Sequence, residues 1–301
     1  MMRRMQEVLI ALLAGLGGML GWGLADLFAK KTIDEIGDIT TLVVAHFFGT
    51  GVVVLVTLYQ IFFGSYVLTL PSDTFTWVGL AFFGALQGLV YLLVYIGFGK
   101  GQVAVLNPIF ASFSGLVALV SILLLGEAIS PILGLGLLIV FAGIMLMNLD
   151  VEALRTRRLA FLKIPGFKEV VGATILATFW TLGWNAFVHG ADWLSHMLIM
   201  YVAMTIALTL YALIKGVSLR VTDASMWKYL ALIGLFETGA YAAISWGYGA
   251  TSATSVVAVL SGAFSLPIII GARLWLKEHT TPLQLWGSLG IVAGVVLVAL
   301  A

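Results

Sequence analysis

Glu237 is the acidic residue whose setting asks most for a chemical role. It stands near the centre of a long apolar stretch, and Tyr241 follows one helical turn later on the same side of a helix. A carboxyl group desolvated at that depth can take up and release a proton near neutral pH, or hold a cationic solute group when ionised, and such groups mark solute and proton routes by default. The plain alternative is a buried carboxyl hydrogen-bonded to a neighbouring helix. Gln87 and Tyr91 repeat the same spacing in the first half of the chain. Two polar and aromatic pairs, one from each half, are therefore expected to face one central cavity.

Asp26 lies one turn beyond Trp22 and one turn before Lys30. It fits a gate or solute contact, and it fits a surface pair with Lys30 nearly as well. His46 sits at a similar depth in the next apolar block and is a candidate partner for proton coupling or gating with Glu237 and Asp26; the plain reading is a packing histidine. Asn107 precedes Pro108, with Ser114 two turns on, and Ser261 and Ser265 precede Pro267. Proline there frees carbonyls that line a cavity, or simply bends the helix. Trp22, Trp184, Tyr91 and Tyr241 recur between the halves, as a cavity wall would, and aromatic walls suit apolar or cationic solutes. Trp180, Tyr95 and Trp246 complete the aromatic set, with Trp246 near an interface. The substrate-binding candidates are thus Glu237, Gln87, Tyr91, Tyr241, Trp22, Trp184, Asn107, Ser114 and Ser265.

Other chemistries have little to stand on. The chain has no cysteine, so disulfides, thiolate metal sites and cysteine nucleophiles are excluded. His46, His189, His196 and His279 show no ligand spacing, and no metal site is expected. No phosphate-cradling loop or nucleotide fingerprint occurs, so no cofactor is expected, and a net charge of +1 carries no nucleic-acid signature. An enzyme would need reactive side chains clustered at one depth, and these are scattered. No Lys or Arg lies at mid-depth, so phosphorylated solutes lack the cation they normally meet.

These residues are held by apolar elements. Apolar residues make up 61% of the 301 and charged ones 10%, with a mean hydropathy of +1.12, against roughly 25% charged in soluble domains. The apolar residues come in blocks of about 20, enough to cross ~30 Å of hydrocarbon. The first block runs past a signal peptide's length without a cleavage pattern and is read as a helix. Ten spans are expected, at 6–29, 39–62, 75–98, 102–125, 130–148, 168–189, 193–214, 226–249, 252–275 and 282–301. The fold class is an all-α integral membrane protein.

The halves repeat. A shift of 151 superposes Glu127 on Glu278, Pro131 on Pro282, Gly136 on Gly287 and Gly143 on Gly294. A shift of 150 superposes Gly84 on Gly234, Gln87 on Glu237, Tyr91 on Tyr241 and Gly97 on Gly247, and a shift of 162 aligns Leu20-Gly21-Trp22 with Leu182-Gly183-Trp184. Residues 1–149 form the first five-helix repeat, 150–167 a basic linker loop and 168–301 the second repeat. An odd number of spans per half makes the second enter from the opposite side, the inverted arrangement of alternating-access transporters. Glycines four apart, such as Gly17 and Gly21 or Gly290 and Gly294, read as close helix packing.

With ten spans both termini share a face that receives only Arg3 and Arg4, while Lys30, Lys31, Lys100, Arg155, Arg157, Arg158, Lys163, Lys168, Lys215, Arg220 and Lys228 gather on the other. The bias of basic residues toward the cytoplasm places both termini outside.

The Trp22-Gly23 pair, the Leu125-Gly126-Glu127 run, its echo Leu276-Lys277-Glu278 and the duplication resemble the drug/metabolite transporter superfamily, in particular its ten-helix EamA-type members. The resemblance covers essentially the whole chain. It implies export or exchange of amino acids and other metabolites through a central cavity lined by both halves. In place of a proline common in such proteins ahead of the Gly-Glu acid, this chain has Ser114 and Ser265. Familiar members are drawn with termini inside, opposite to the charge count.

The expected function is secondary transport of a small organic metabolite such as an amino acid or amine, by a monomer or homodimer in the plasma membrane. An uptake permease for a neutral solute such as a sugar or nucleoside is one alternative, and a non-transporting membrane scaffold is another.

Overall fold

The computed structural model describes residues 2–100, 106, 109–148, 164–275 and 281–300. Asn107, Pro108, Lys277, Glu278 and most of the basic linker lie outside them. The described chain is helical apart from short connections: α1 (Met2–Ile36), α2 (Asp38–Phe63), α3 (Thr74–Lys100), α4 (Phe113–Leu123), α5 (Pro131–Asn148), α6 (Phe167–Val188), α7 (Trp193–Ile214), α8 (Trp227–Ala250), α9 (Thr254–Ser261), α10 (Ser265–Trp275) and α11 (Pro282–Ala299). Among the described residues, nine helical stretches are long and apolar enough to cross a membrane, counting α9 and α10 as one, and the shorter apolar helix Ile109–Leu123 supplies the tenth expected span.

Local sequence explains most boundaries. The first helix runs past the expected 29 to Ile36, because nothing breaks it before Gly37 at φ +84°. That extension makes Lys31, Asp34 and Glu35 part of the helix. Between α9 and α10 the chain passes through a 3₁₀ turn in which Ala263 leaves helical geometry at ψ +19°. Pro267 is the cause, since it has no N–H to give to the Ala263 carbonyl four residues back. At the start of α11, Thr281 and Gln284 form a reciprocal capping box with Pro282 at the first helical position.

The packing is symmetric under exchange of the halves. Helix α1 lies on α8 as α6 lies on α3, and α2 meets α8 as α7 meets α3, while α5–α11, α2–α7 and α4–α9 each pair across the axis. The repeated glycines sit at equivalent contacts. A Cβ on Gly84 would fall 2.4 Å from the Met200 carbonyl of α7, and one on Gly234 2.5 Å from the Ala45 carbonyl of α2. Gly136 and Gly143 of α5 press on Gly294 and Gly287 of α11, and the reverse holds. On the axis, Thr50 and Thr205 share a 2.8 Å hydrogen bond. With odd five-span halves, this exchange symmetry is that of two inverted five-helix repeats.

In lipid these approaches do the work that burial of apolar surface does in water, because the surrounding chains are as apolar as the side chains. A Cβ at Gly143 would meet the Gly287 carbonyl at 2.7 Å and the Ile291 amide at 2.9 Å, both backbone atoms that cannot step aside. Gly143→Val is therefore expected to lower the unfolding temperature in detergent, at a cost of about 1–3 kcal/mol for overpacking. Gly51, whose Cβ direction is open, should tolerate Gly51→Ala without loss.

Candidate functional site

The seam between the halves encloses a cavity of about 70 Å³. Trp22 and Asp26 of α1, Gln87 and Tyr91 of α3, and Trp180 and Thr181 of α6 form its wall, with Phe110, Phe113 and Phe264 completing it. A second cavity of about 20 Å³ adjoins it and is bounded by Trp22, Asp26, Thr41, Tyr91, Tyr95 and Glu237. Of the expected residues, Trp22, Asp26, Gln87, Tyr91 and Glu237 thus converge on these two cavities, although they come from α1, α3 and α8.

The polar groups are linked. Gln87 donates through Nε2 to the Tyr241 hydroxyl at 2.8 Å, and Tyr241 donates to the Tyr91 hydroxyl at 3.2 Å. His46 is fully buried and its Nδ1 lies 2.8 Å from the Leu42 carbonyl, which can only accept. Nδ1 therefore carries a hydrogen, and Nε2 points toward Glu237 Oε1 at 3.4 Å. The contact is too loose or bent to count as a formed hydrogen bond, since both atoms are otherwise without partners. Two bare lone pairs facing each other would repel, so the favourable arrangement places a proton on one of the two atoms. Tyr201 stacks on the His46 ring with centroids 5.4 Å apart.

Several buried atoms at the two cavities have no hydrogen-bond partner among the described residues: the Trp22 indole N–H, Gln87 Oε1 and Thr41 Oγ1. Buried polar groups are normally satisfied. A donor from Trp22 and acceptors on Gln87 and Asp26 in one lining suit a solute that carries both an acceptor and an N–H group.

Toward the face that holds the termini, the cavity ends at an aromatic layer. Trp180 stacks on Trp184 at 5.7 Å, Tyr241 meets Trp180 edge-on at 5.9 Å, and Tyr201 meets Tyr241 at 5.6 Å. All four are fully buried or nearly so. Trp180 Nε1 donates to the Phe83 carbonyl at 2.9 Å, and Trp184 Nε1 donates to Ser245 Oγ at 3.1 Å. Beyond this layer opens a vestibule of about 700 Å³.

Some expected residues fall elsewhere. Trp184 stands behind the wall rather than in it, and Trp180 one turn away takes that place. Ser114 donates to the Ala111 carbonyl at 3.0 Å and packs against Gly262, so its hydroxyl is satisfied within its own helix. Ser265 donates to Asn148 Oδ1 at 3.1 Å. Neither lines the cavity. Tyr241 reaches the site through its hydroxyl network and not as an open wall. Tyr201 and Thr181 carry no motif that marks them; for Tyr201 the separation that pairs Thr50 with Thr205 also pairs it with His46.

The Leu125-Gly126-Glu127 run closes α4 at the termini face. Gly126 turns the chain at φ +71°, a conformation that suits glycine. Glu127 then accepts the Ser255 amide at 2.9 Å and the Ser255 hydroxyl at 2.6 Å, tying this turn to the first residues of α9. Burial pushes the Glu127 carboxyl above its ordinary value of 4.5 despite those hydrogen bonds. Folded protein therefore binds this proton more tightly than unfolded chain, so the contribution to stability is fullest below about pH 4.5 and is lost as pH rises through the raised folded value. Glu127→Gln should flatten that segment of a plot of unfolding temperature against pH.

A membrane bundle of two inverted repeats with a polar, aromatic cavity at their seam is the architecture of a membrane transporter. The chain belongs to the EamA-like transporter family, whose profile matches it twice, over residues 9–149 and 167–300. It is also similar to a solved structure described only as "Crystal structure of protein", at a TM-score of 0.75 and 16% identity, covering 96% of this chain and 97% of the other. That likeness concerns the fold. No curated protein matches.

Proposed function

We propose that this multi-pass membrane protein is a secondary transporter, exporting or exchanging a small organic metabolite such as an amino acid or amine by alternating access. The observation that carries the reading is the central cavity, where Asp26, the Gln87 acceptor and the Trp22 donor share a wall with aromatic rings. An ammonium group satisfies Asp26 and Gln87, an acceptor on the solute satisfies Trp22, and the rings take its apolar part. The cavity volume is well below the roughly 300–1,000 Å³ of ordinary ligand sites. A metabolite therefore fits only when the helices separate, as alternating access requires.

Glu237 and His46 form the proton-exchanging pair in this reading, and Asp26 meets the solute. Trp180, Trp184, Tyr201 and Tyr241 form the barrier toward the termini face. The excess of basic residues on the opposite face favours termini outside and that face in the cytoplasm of a plasma-membrane protein.

Flux into proteoliposomes, measured for amino acids, amines and sugars with and without a pH gradient, tests the proposal. Accumulation of an amine or amino acid that follows the gradient supports it. Sugar or nucleoside flux indifferent to the gradient would replace it with uptake of a neutral solute, and absence of any flux from folded protein would leave a scaffold.

A further inference from the structure

The vestibule beyond the aromatic layer is built from different residues and offers a different pattern of polar groups. Ser121 is 1% exposed and lines the vestibule, yet its hydroxyl has no partner among the described residues. Asn185 also lines it, and its Oδ1 is buried and unpaired. His189 Nδ1 lies 3.1 Å from the Tyr248 carbonyl and so carries a hydrogen, which leaves Nε2 as an acceptor in the neutral ring. Glu127 is fixed by Ser255 but retains lone pairs beyond the contacts it makes, and Glu7 lies at the rim. No lysine or arginine occurs among the described residues that line this space.

With Glu7 and Glu127 in the lining, its formal charge is negative. Water could meet the exposed groups, but the buried Asn185 oxygen can only accept and the Ser121 hydroxyl can accept beside it, so together with the carboxylates they suit a ligand with several N–H donors in a small volume. A primary ammonium group supplies three. A quaternary ammonium has the same charge and none.

We propose that the vestibule is a second binding site, specific for the primary ammonium group of a small organic solute, with Asn185 and Ser121 as its inner contacts and Glu127 supplying charge. The site stands apart from the central cavity across the aromatic layer, and its occupancy needs no transport.

The test is equilibrium binding of butylamine and of tetramethylammonium to the full chain in lipid nanodiscs at neutral pH, followed by calorimetry. Asp26→Asn removes the carboxylate of the central cavity, so that the remaining binding reports the vestibule. Butylamine should still bind saturably, and tetramethylammonium about tenfold more weakly, the scale of one or two hydrogen bonds to a charged group. Asn185→Leu should weaken butylamine binding by a similar factor of about ten. Asn185→Asp keeps an acceptor and adds charge, so it should bind butylamine more tightly, and it decides the matter if the leucine variant does not fold. Equal affinity for the two probes, no saturable binding to the Asp26→Asn protein, or unchanged affinity on Asn185→Asp would each overturn the proposal. Failure of flux in liposomes would overturn the transport reading and leave this binding result standing.

Discussion

Glu237→Gln protein should lose accumulation driven by a pH gradient, down to the level of empty liposomes, while counterflow exchange of the same solute persists. The glutamine side chain keeps the size and one acceptor but carries no exchangeable acid proton, so the contact at 3.4 Å to His46 can no longer pass a proton between two sites. Solute contact through Asp26 and Gln87 is untouched, which is why exchange survives. Asp26→Asn should remove both activities, because the wall then lacks the charge that holds an ammonium group. Gradient-driven accumulation unchanged in the Glu237→Gln protein would remove the proton role from this pair. The two substitutions separate coupling from binding, and comparison of initial rates in the same liposomes reads the difference.

Trp180→Ala is expected to have the largest structural effect of any single change at the site. Its indole is buried, stacks on Trp184, meets Tyr241 edge-on and donates to the Phe83 carbonyl. Truncating a buried tryptophan to alanine costs about 3–5 kcal/mol, the cavity it leaves included. Here the hole would also join the central cavity to the vestibule, so passive leak of a small amine should accompany the loss of stability. Trp180→Phe fills most of the volume and should restore the barrier, though it forfeits the indole hydrogen bond. Thermal unfolding in detergent and efflux from preloaded liposomes measure the two consequences separately. A Trp180→Ala protein as tight to leak as the unmodified chain would mean that the barrier lies elsewhere.

The parts of this arrangement that could be read from residues alone are those encoded by depth and by repetition. Gln87 and Glu237 were recoverable because each sits mid-way along an apolar block with a tyrosine one turn on, and because one shift superposes both pairs. The glycines of α5 and α11 were recoverable for the same reason, and the structure places them in reciprocal contact. What stayed out of reach depends on helix packing between halves. His46 meets Glu237 only because α2 lies on α8. Trp180 and Trp184 share one face of α6, so spacing cannot say which borders a cavity and which lies behind it. Ser114 looked like a cavity residue because it is polar in an apolar span, but a serine in a membrane helix can satisfy itself on its own backbone, as this one does. The first span ends later than expected because charged residues suggest a stop near residue 29, whereas the helix only breaks at Gly37.

Access to the seam from each face in turn tests the central claim most directly. The chain has no cysteine, so Thr181→Cys introduces a single reporter into the cavity wall without background. A membrane-impermeant thiol reagent should label this position from the basic face under one condition of pH or solute and from the termini face under another, with solute slowing the reaction from both. Labelling confined to one face under every condition, or none from either in a folded protein, would contradict alternating access through this cavity.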